Sequence, residues 1–491
     1  MPNQLVKIAI VGSGPSALAA FWGLKGKQNL EITFIDSGVT PENSSRFEAD
    51  INSEFLKLRL DDDFIYRKFK STPRINTSGL RLPIFFALGG LSNVWGATML
   101  PFSFEDTIDW PEYMKDLDHY YLEVSKRVPV SQLTWKQSRF YKHFANRDGL
   151  LNSSTISRLL NRSLMWDDEN EFAPMPLAVK SASNSEAGCV YCNDCLRGCS
   201  YDFIWRSNHE IEKILKSDSI ESITGARVIS VEKNSGGLSL NYKTEDEKMF
   251  CIEGFDHVFL GVGPIESFRI ASMSKLTHKE TVFKDSNTFL VPFLNFNTFK
   301  RNPSKGYALT QAYLRCKSFS GNLLHTQFYV YSNEILEKAK SEIKILRLVP
   351  ERVISMVLSR LVFGIIYLDW SDSTGLRVSL STEGNLILKQ DQQTVARLSP
   401  LRKINRLFNF HVLWKLRMVP FIPLIRTLDP GAGAHFGSWA PAGIHTDSLG
   451  RLQEDFNLHI VDSSVLPSIP PGPITFTIMA NAFRIANEAT N

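Results

Sequence analysis

At 491 residues and 43% hydrophobic content, the chain is long enough for two or three domains with ordinary cores. A formal net charge of +4 over that length gives no case for nucleic-acid binding. The longest apolar runs, such as FGIIYL at Phe363–Leu368, are too short to cross a bilayer, and an apolar strand starting by Val6 leaves no room for a signal peptide or twin-arginine leader, so a cytoplasmic protein is expected. Val6, Ile8, Ala9, Ile10 and Val11 form a nearly continuous apolar run, as a parallel strand buried on both faces would. Gly12, Gly14 and Ala17 follow with G-x-G-x-x-A spacing, Pro15 and Ser16 lie between them, and Ser16–Leu24 reads as a helix. Gly12 permits the tight turn, Gly14 lets backbone approach a pyrophosphate, and Ala17 lets the helix pack closely on the strand. The helix start favours an anion there. A second strand, Glu31–Ile35, ends in Asp36, an acid placed for ribose hydroxyls. The unit predicts dinucleotide binding without choosing between FAD and NAD.

After a polar stretch, Ser37–Ser45, a second glycine signal spans Ala87–Pro101. Gly89, Gly90 and Gly96 allow close backbone approach to a ligand, and Ser92 and Asn93 add short polar groups. Alone, this segment reads as a structural turn. Asp109–Trp110–Pro111 then starts a helix with apolar residues at helical spacing.

The opening unit together with the GGxSxxWG segment, which includes Trp95, resembles the glucose–methanol–choline family of FAD-dependent oxidoreductases. The resemblance implies that this second segment lies along the flavin. Some family members carry a histidine just before the tryptophan that bonds covalently to FAD. Val94 stands there in this chain, so no covalent link is expected at that position.

Cys189, Cys192, Cys195 and Cys199 are spaced C-x2-C-x2-C-x3-C, the ferredoxin-type run with Ser200 where proline usually follows. Short gaps let a loop wrap thiolates around a compact inorganic core, whereas zinc sites more often split their ligands into two pairs. An iron–sulfur cluster is expected; zinc, or no metal, are the alternatives. Some sugar and polyol dehydrogenases of the same family carry a C-x5-C-x3-C cluster motif, which Cys189, Cys195 and Cys199 match. Cys192 is an extra thiolate, favouring [4Fe–4S] over [3Fe–4S]. Cys251 and Cys316 are isolated and read as buried thiols.

From Ile220 to Tyr242 alternation suggests a strand pair, in which the resemblance puts Val228 against the adenine by its main chain. Asp256–Ser274 reads as strand, glycine turn at Gly261 and Gly263, and helix, resembling the segment that closes the other side of the nucleotide site. From Lys275 to Arg426 no motif is recognisable, but HTQFYVYS, IIYLDW, LRVSLS and LILK suggest a sheet walling a substrate pocket. Leu401–Met418 carries Arg402, Lys403, Arg406, Lys415 and Arg417 with no acid, among Phe408, Phe410, Trp414 and leucines. It reads as a solvated basic helix packed on the core, with contact to an anionic membrane or to a lipid-linked or phosphorylated substrate as the alternative. Ile343–Phe363 is a weaker stretch of the same kind.

The tail from His459 resembles the family's terminal strand, aspartate, proline loop and helix. The resemblance places Asp462 near the ribityl–phosphate portion of the flavin and the helix start at Thr475 toward the isoalloxazine. His435, in GAGAHFGSWAPAG, resembles the family's histidine that takes the substrate hydroxyl proton. Pro473 stands where the family has a second histidine or asparagine, so another side chain must replace that partner, or His435 acts alone; His445 is a nearby substitute.

The expected architecture is α/β: a Rossmann-type FAD-binding domain with a second, sheet-based substrate-binding domain. The FAD domain is expected from residues 1–110, 208–274 and 430–491, with a connecting segment at 111–187, the cysteine loop at 188–207 and the substrate domain at 275–429. The expected activity is oxidation of a CH–OH group on a sugar-like small molecule, with electrons leaving through the cluster to a one-electron partner. A reductase running in reverse, and a non-catalytic flavin and zinc relay, are the alternatives.

Overall fold

A computed structural model of the chain describes residues 5–38, 75–80, 82, 86–133, 144–163, 170–183, 185–193, 195, 199, 201–217, 220–244, 246–296, 306–330, 332, 340, 347–391 and 400–490. Most of the polar stretch Ser37–Ser45, part of Ile343–Phe363 and the side chains of Leu401, Arg402 and Lys403 lie outside the described residues.

The amino-terminal unit follows its sequence pattern closely. Strand β1 (Val6–Val11) has Ile8, Ala9 and Ile10 fully buried, and helix α1 (Pro15–Leu24) starts one residue earlier than expected. Pro15 suits that first turn because its missing N–H would have no helical partner there. Every α1 residue from Ser16 to Leu24 is buried, so the helix is apolar all round and enclosed. Strand β2 (Leu30–Asp36) then pairs with β1 in parallel, Val6 opposite Leu30.

Further along come β3 (Glu221–Thr224), then a meander of β4 (Ala226–Asn234), β5 (Gly237–Thr244) and β6 (Met249–Phe255), then β7 (His257–Leu260) and helix α2 (Pro264–Met273). The next strands are β8 (Glu280–Asp285), β9 (Thr288–Asn295), β10 (Ala312–Lys317) and β11 (Leu323–Val330). Helix α3 (Glu351–Leu358) leads into β12 (Leu361–Leu368), β13 (Leu376–Leu380) and β14 (Leu386–Gln390). The chain closes with α4 (Pro400–Leu407), α5 (Phe410–Lys415), β15 (Met418–Pro420), β16 (Leu458–Ile460) and α6 (Thr475–Ala489).

These strands build a five-stranded parallel sheet in the order β16-β7-β1-β2-β3, the arrangement expected of a Rossmann-type unit. A seven-stranded sheet runs β15-β9-β12-β11-β10 and then Glu171–Pro174, with Arg426–Thr427 pairing on β9. A third sheet orders Phe436–Gly437, β8, β13, β14 and Ile75–Asn76. The fold class is thus the expected one, with a nucleotide-type parallel sheet and a second body of antiparallel sheet.

Helices α1 and α6 lie side by side over the parallel sheet. A Cβ on Gly23 would stand 2.4 Å from the Phe483 carbonyl, so the glycine is what lets the two backbones touch. Two expected long helices are each broken in two. The one after Pro111 splits into Glu112–Lys115 and Asp118–Ser125 because Asp116 leaves helical geometry (φ −103°, ψ 79°). The basic one splits at Asn409, whose side chain accepts the Val412 N–H (3.2 Å) and so caps α5.

Candidate active site

A cleft with its mouth open to solvent runs along the carboxyl ends of the parallel strands. Three distant parts of the chain wall it. From the first glycine segment come Gly12, Gly14, Pro15, Ser16 and Asp36; from the second, Gly90, Ser92 and Trp95; from the rest, Val228, Gly261, Gly263, Asp462 and Thr475. Ala17, Gly89, Asn93 and Gly96 stand beside the cleft rather than in its wall.

Those four shape the wall from behind. Gly12 (φ +104°) and Gly261 interlock: a Cβ on Gly12 would lie 2.5 Å from the Gly261 carbonyl, and one on Gly261 would lie 2.7 Å from the Ala17 Cβ. Ala17 therefore holds α1 against a second glycine turn as well as against β1. Gly89 (φ +88°) donates its N–H to Ser13 Oγ (2.9 Å) and accepts from Ser92 Oγ (2.6 Å) and Ser207 Oγ (2.9 Å). Ser207 Oγ also lies 3.0 Å from the Ser13 carbonyl, so its one proton is shared between two carbonyls and a buried polar knot ties the two glycine segments together. Asn93 Nδ2 bonds the Leu88 and Gly90 carbonyls (2.8 and 2.9 Å), which spends that amide on turn geometry. Gly96 faces the Tyr329 hydroxyl, 3.9 Å from where a Cβ would be.

The charged groups of the cleft are distinct in kind. Burial pushes the Asp36 carboxyl up to about 6, against hydrogen bonds from Gly38 N–H (2.5 Å) and Ser13. That carboxylate sits at the end of β2 with room for further donors. Glu266, at the first turn of α2, is also buried, but Arg227 (2.9 Å) and Arg269 (2.9 Å) outweigh the burial and hold it at about 2. Arg269 in turn donates to the Val228 carbonyl, which fixes that stretch of β4 against α2. No motif pointed to this ion cluster. Burial also raises Asp462, which accepts from Ser267 Oγ, Ser464 Oγ (2.5 Å) and Ser464 N–H (2.9 Å). The starts of both α1 and α6 lack a side-chain cap, and Gly14, Pro15 and Ser16 of the one and Ile474 and Thr475 of the other line the cleft.

His435 lies between Ala434 and Phe436, both in the cleft wall. It is half-buried by surface area, yet the protein around it is dense enough for burial to lower its pKa to about 4. Its ring stacks on Tyr367 at 4.7 Å, and its Nδ1 has no hydrogen-bond partner among the described residues. The His435 loop is anchored from below: Ser286 N–H donates to the His435 carbonyl (3.0 Å), and the Asp285 carboxyl accepts from Gly431 N–H (2.9 Å). Burial pushes Asp285 up to about 7.

A second imidazole, absent from the sequence reading, belongs to the same array. His325, on β11 directly across from Tyr367 on β12, is 1% exposed, stacks on Tyr313 at 5.5 Å and tilts against Tyr367 at 6.1 Å. Its pKa falls to about 3 through burial first, then the charges of Arg315 and His435. Its Nε2 is buried with no partner among the described residues, and its ring lies 3.6 Å from where a Gly472 Cβ would be. His325 thus abuts the Gly472–Pro473 loop. His445, the substitute named from sequence, is solvent-exposed, with Nδ1 3.4 Å from the Trp439 carbonyl.

None of the four cysteines of the run forms a disulfide, and all four line one small cavity with Val179, Tyr201, Phe203, Ile204, Tyr307 and Leu309 among its walls. Tyr191 (φ +58°) and Asn193 (φ +65°) turn the loop through left-handed geometry. Backbone N–H groups of Phe203 (3.3 Å) and Ala308 (3.4 Å) donate to Cys199 and Cys195. Burial raises Cys189 and pushes Cys195 up to about 12. Among the described residues, no three His, Cys, Asp or Glu side chains converge to hold a single metal ion. Cys316 is buried as expected, but Cys251 is exposed on a strand of the meander. The cysteine cavity adjoins the cleft: Trp205, next to Ile204, accepts at its carbonyl from Trp95 Nε1 (2.9 Å), and the two indoles meet edge to face at 5.9 Å.

No protein-family model matches the chain, and no curated protein matches it in sequence. Among solved structures, the crystal structure of pyridoxine 4-oxidase from Mesorbium loti is similar with a TM-score of 0.64 at 13% identity, covering 98% of this chain and 99% of that one. The two share a fold over nearly their whole lengths.

Proposed function

We propose that the chain is an FAD-dependent oxidoreductase acting on a CH–OH group, with a sugar or sugar-containing molecule as substrate and a one-electron partner as acceptor. The observation that carries this reading is the single cleft in which both glycine segments, Asp36 and the Asp462–Thr475 tail meet, with the His435 loop at its wall. The residues fit the cofactor: backbone at Gly14 is open, with nothing nearer than 3.9 Å to its Cβ position, and the half-buried Asp36 carboxylate in the cleft wall, which accepts from Gly38 N–H and Ser13, has acceptor sites beyond those two for ribose hydroxyls. Asp36 would hold the ribose, the start of α1 the pyrophosphate, the Val228 main chain the adenine, and the start of α6 the flavin ring. Bound FAD supplies a two-electron acceptor for the hydride of the substrate carbon. His435, kept neutral by its surroundings, takes the hydroxyl proton. His325 is the second imidazole of the site, filling from the sheet side the role that Pro473 leaves vacant. The similar solved structure is named an oxidase of pyridoxine, which accords with CH–OH chemistry on this fold.

Asp36 makes the cofactor step pH-dependent. Ribose donors favour the carboxylate, so the bound form has a lower pKa than the free value of about 6. FAD affinity is expected to be full above pH 6 and to fall by up to about tenfold per pH unit below it. In titrations of the cofactor-free protein with FAD, Asp36→Asn should bind more weakly and show no such slope.

An iron–sulfur cluster, [4Fe–4S] in preference to [3Fe–4S], is proposed for Cys189, Cys192, Cys195 and Cys199. The shared cavity, its apolar walls and the N–H groups directed at sulfur support this donor set. Such a cluster would supply single-electron transfer beside the Trp95–Trp205 pair. Anaerobically purified protein should contain iron and acid-labile sulfide, and give a dithionite-sensitive EPR signal that Cys195→Ser abolishes. Zinc in their place, or no metal, would return the cysteine loop to a structural role.

A further inference from the structure

At the far end of β9 three elements meet. Asn295 N–H donates to the Arg360 carbonyl just after α3 (3.1 Å), and Phe296 N–H donates to the Arg417 carbonyl between α5 and β15 (3.3 Å). Large apolar side chains point into solvent around this junction: Trp414 is 80% exposed, Phe296 57%, Met356 56%, Val357 54% and Phe421 48%. Val353, Met356 and Val357 form one helical face of α3, while Ile354 is the α3 residue turned inward. Among the described residues the charge at this junction is predominantly positive. Residues 400–428 hold six Lys or Arg and no Asp or Glu, and the sole acid of α3, Glu351, is paired with Lys340. Lys415 and Arg417 flank the exposed indole side, and Arg352 and Arg360 flank the α3 face; all four are exposed.

We propose that this end of the molecule docks on the surface of an anionic lipid bilayer. Protruding Trp, Phe and Met beside lysine and arginine match the boundary where acyl chains meet negatively charged headgroups. A second copy of the chain is the poorer occupant, because a two-fold contact would press this cationic surface against itself. β9 extends from this junction back to Thr288, whose Oγ1 packs against Gly433 of the His435 loop. Eight residues of strand hold that loop about 25 Å from the docking end, so attachment leaves the cleft clear of the membrane.

The test is co-sedimentation of the purified full chain with vesicles of phosphatidylcholine alone or of phosphatidylcholine with phosphatidylserine. The expected result is binding roughly tenfold stronger to the phosphatidylserine vesicles and weakened by salt. The double substitutions Trp414→Ser with Phe421→Ser, and Lys415→Glu with Arg352→Glu, should each reduce binding roughly tenfold while leaving the melting temperature unchanged. No sedimentation with anionic vesicles, or binding that neither pair of substitutions alters, would overturn the proposal. So would a dimer in solution that the same substitutions dissociate, which would assign the surface to a second copy.

Discussion

His435→Ala should retain bound FAD and lose about 10²- to 10⁴-fold in the rate of flavin reduction, measured by anaerobic stopped-flow absorbance with a sugar or polyol substrate. FAD is retained because His435 adds no wall to the nucleotide end of the cleft, which Gly12, Gly14 and Asp36 build. The pH profile carries the sign of the environment. Burial disfavours imidazolium and lowers the His435 pKa to about 4, so the proton-accepting form persists well below the ordinary histidine value. Reduction by the unmodified protein should be level from neutral pH down to about 5 and fall with decreasing pH near 4; the fall should vanish in His435→Ala. An acid limb near 6.5 would mean that His435 is solvated in the working enzyme. His325→Ala should slow reduction by about tenfold or more, with partial recovery in His325→Asn, since an amide restores a polar group beside Gly472 but a methyl does not. Equal rates in the two variants would make His325 a packing residue only.

Gly12→Ala and Gly14→Ala should fail in different ways. At Gly12 the backbone has φ +104° and an added Cβ would meet the Gly261 carbonyl at 2.5 Å, two rigid backbones with no side chain to yield. A loss of about 3–5 kcal/mol is expected, read as a large drop in melting temperature together with loss of flavin. At Gly14 the helix-cap backbone has φ −67° and the Cβ position is open. That variant should melt like the parent without cofactor, yet bind FAD weakly, because the methyl occupies the space through which backbone approaches a pyrophosphate. Comparing FAD titration with thermal melting separates the two. Similar melting of both variants would contradict the interlocked glycine turns.

Local signals carried much of this molecule. The β1-α1-β2 unit was readable because strand, glycine turn, helix and terminal acid are contiguous, each stage confirming its neighbour. The strand-like pieces HTQFYVYS, IIYLDW, LRVSLS and LILK were readable too, and each overlaps one of the strands β11, β12, β13 and β14. Helix interruptions were not, because one residue decides them: Asp116 by leaving helical geometry and Asn409 by capping the next helix. The histidine array was invisible for a different reason. His325 sits in an ordinary buried strand, and only the pairing of β11 with β12 sets it opposite Tyr367, which stacks on His435 from 110 residues further along the chain. Asp285 and the Arg227–Glu266–Arg269 cluster likewise owe their character to burial and tertiary neighbours. The serine knot joining Ser13, Ser92 and Ser207 brings together three segments that local pattern treats separately.

The central claim is that the cleft holds FAD and that His435 serves substrate oxidation there. The most direct measurement is the visible absorbance of the purified protein, reconstituted with FAD and mixed anaerobically with a panel of sugars and polyols. The account predicts a bound flavin spectrum at one FAD per chain and loss of its long-wavelength band with at least one CH–OH substrate. A protein that binds no flavin at neutral pH, with its fold intact by circular dichroism, would contradict it.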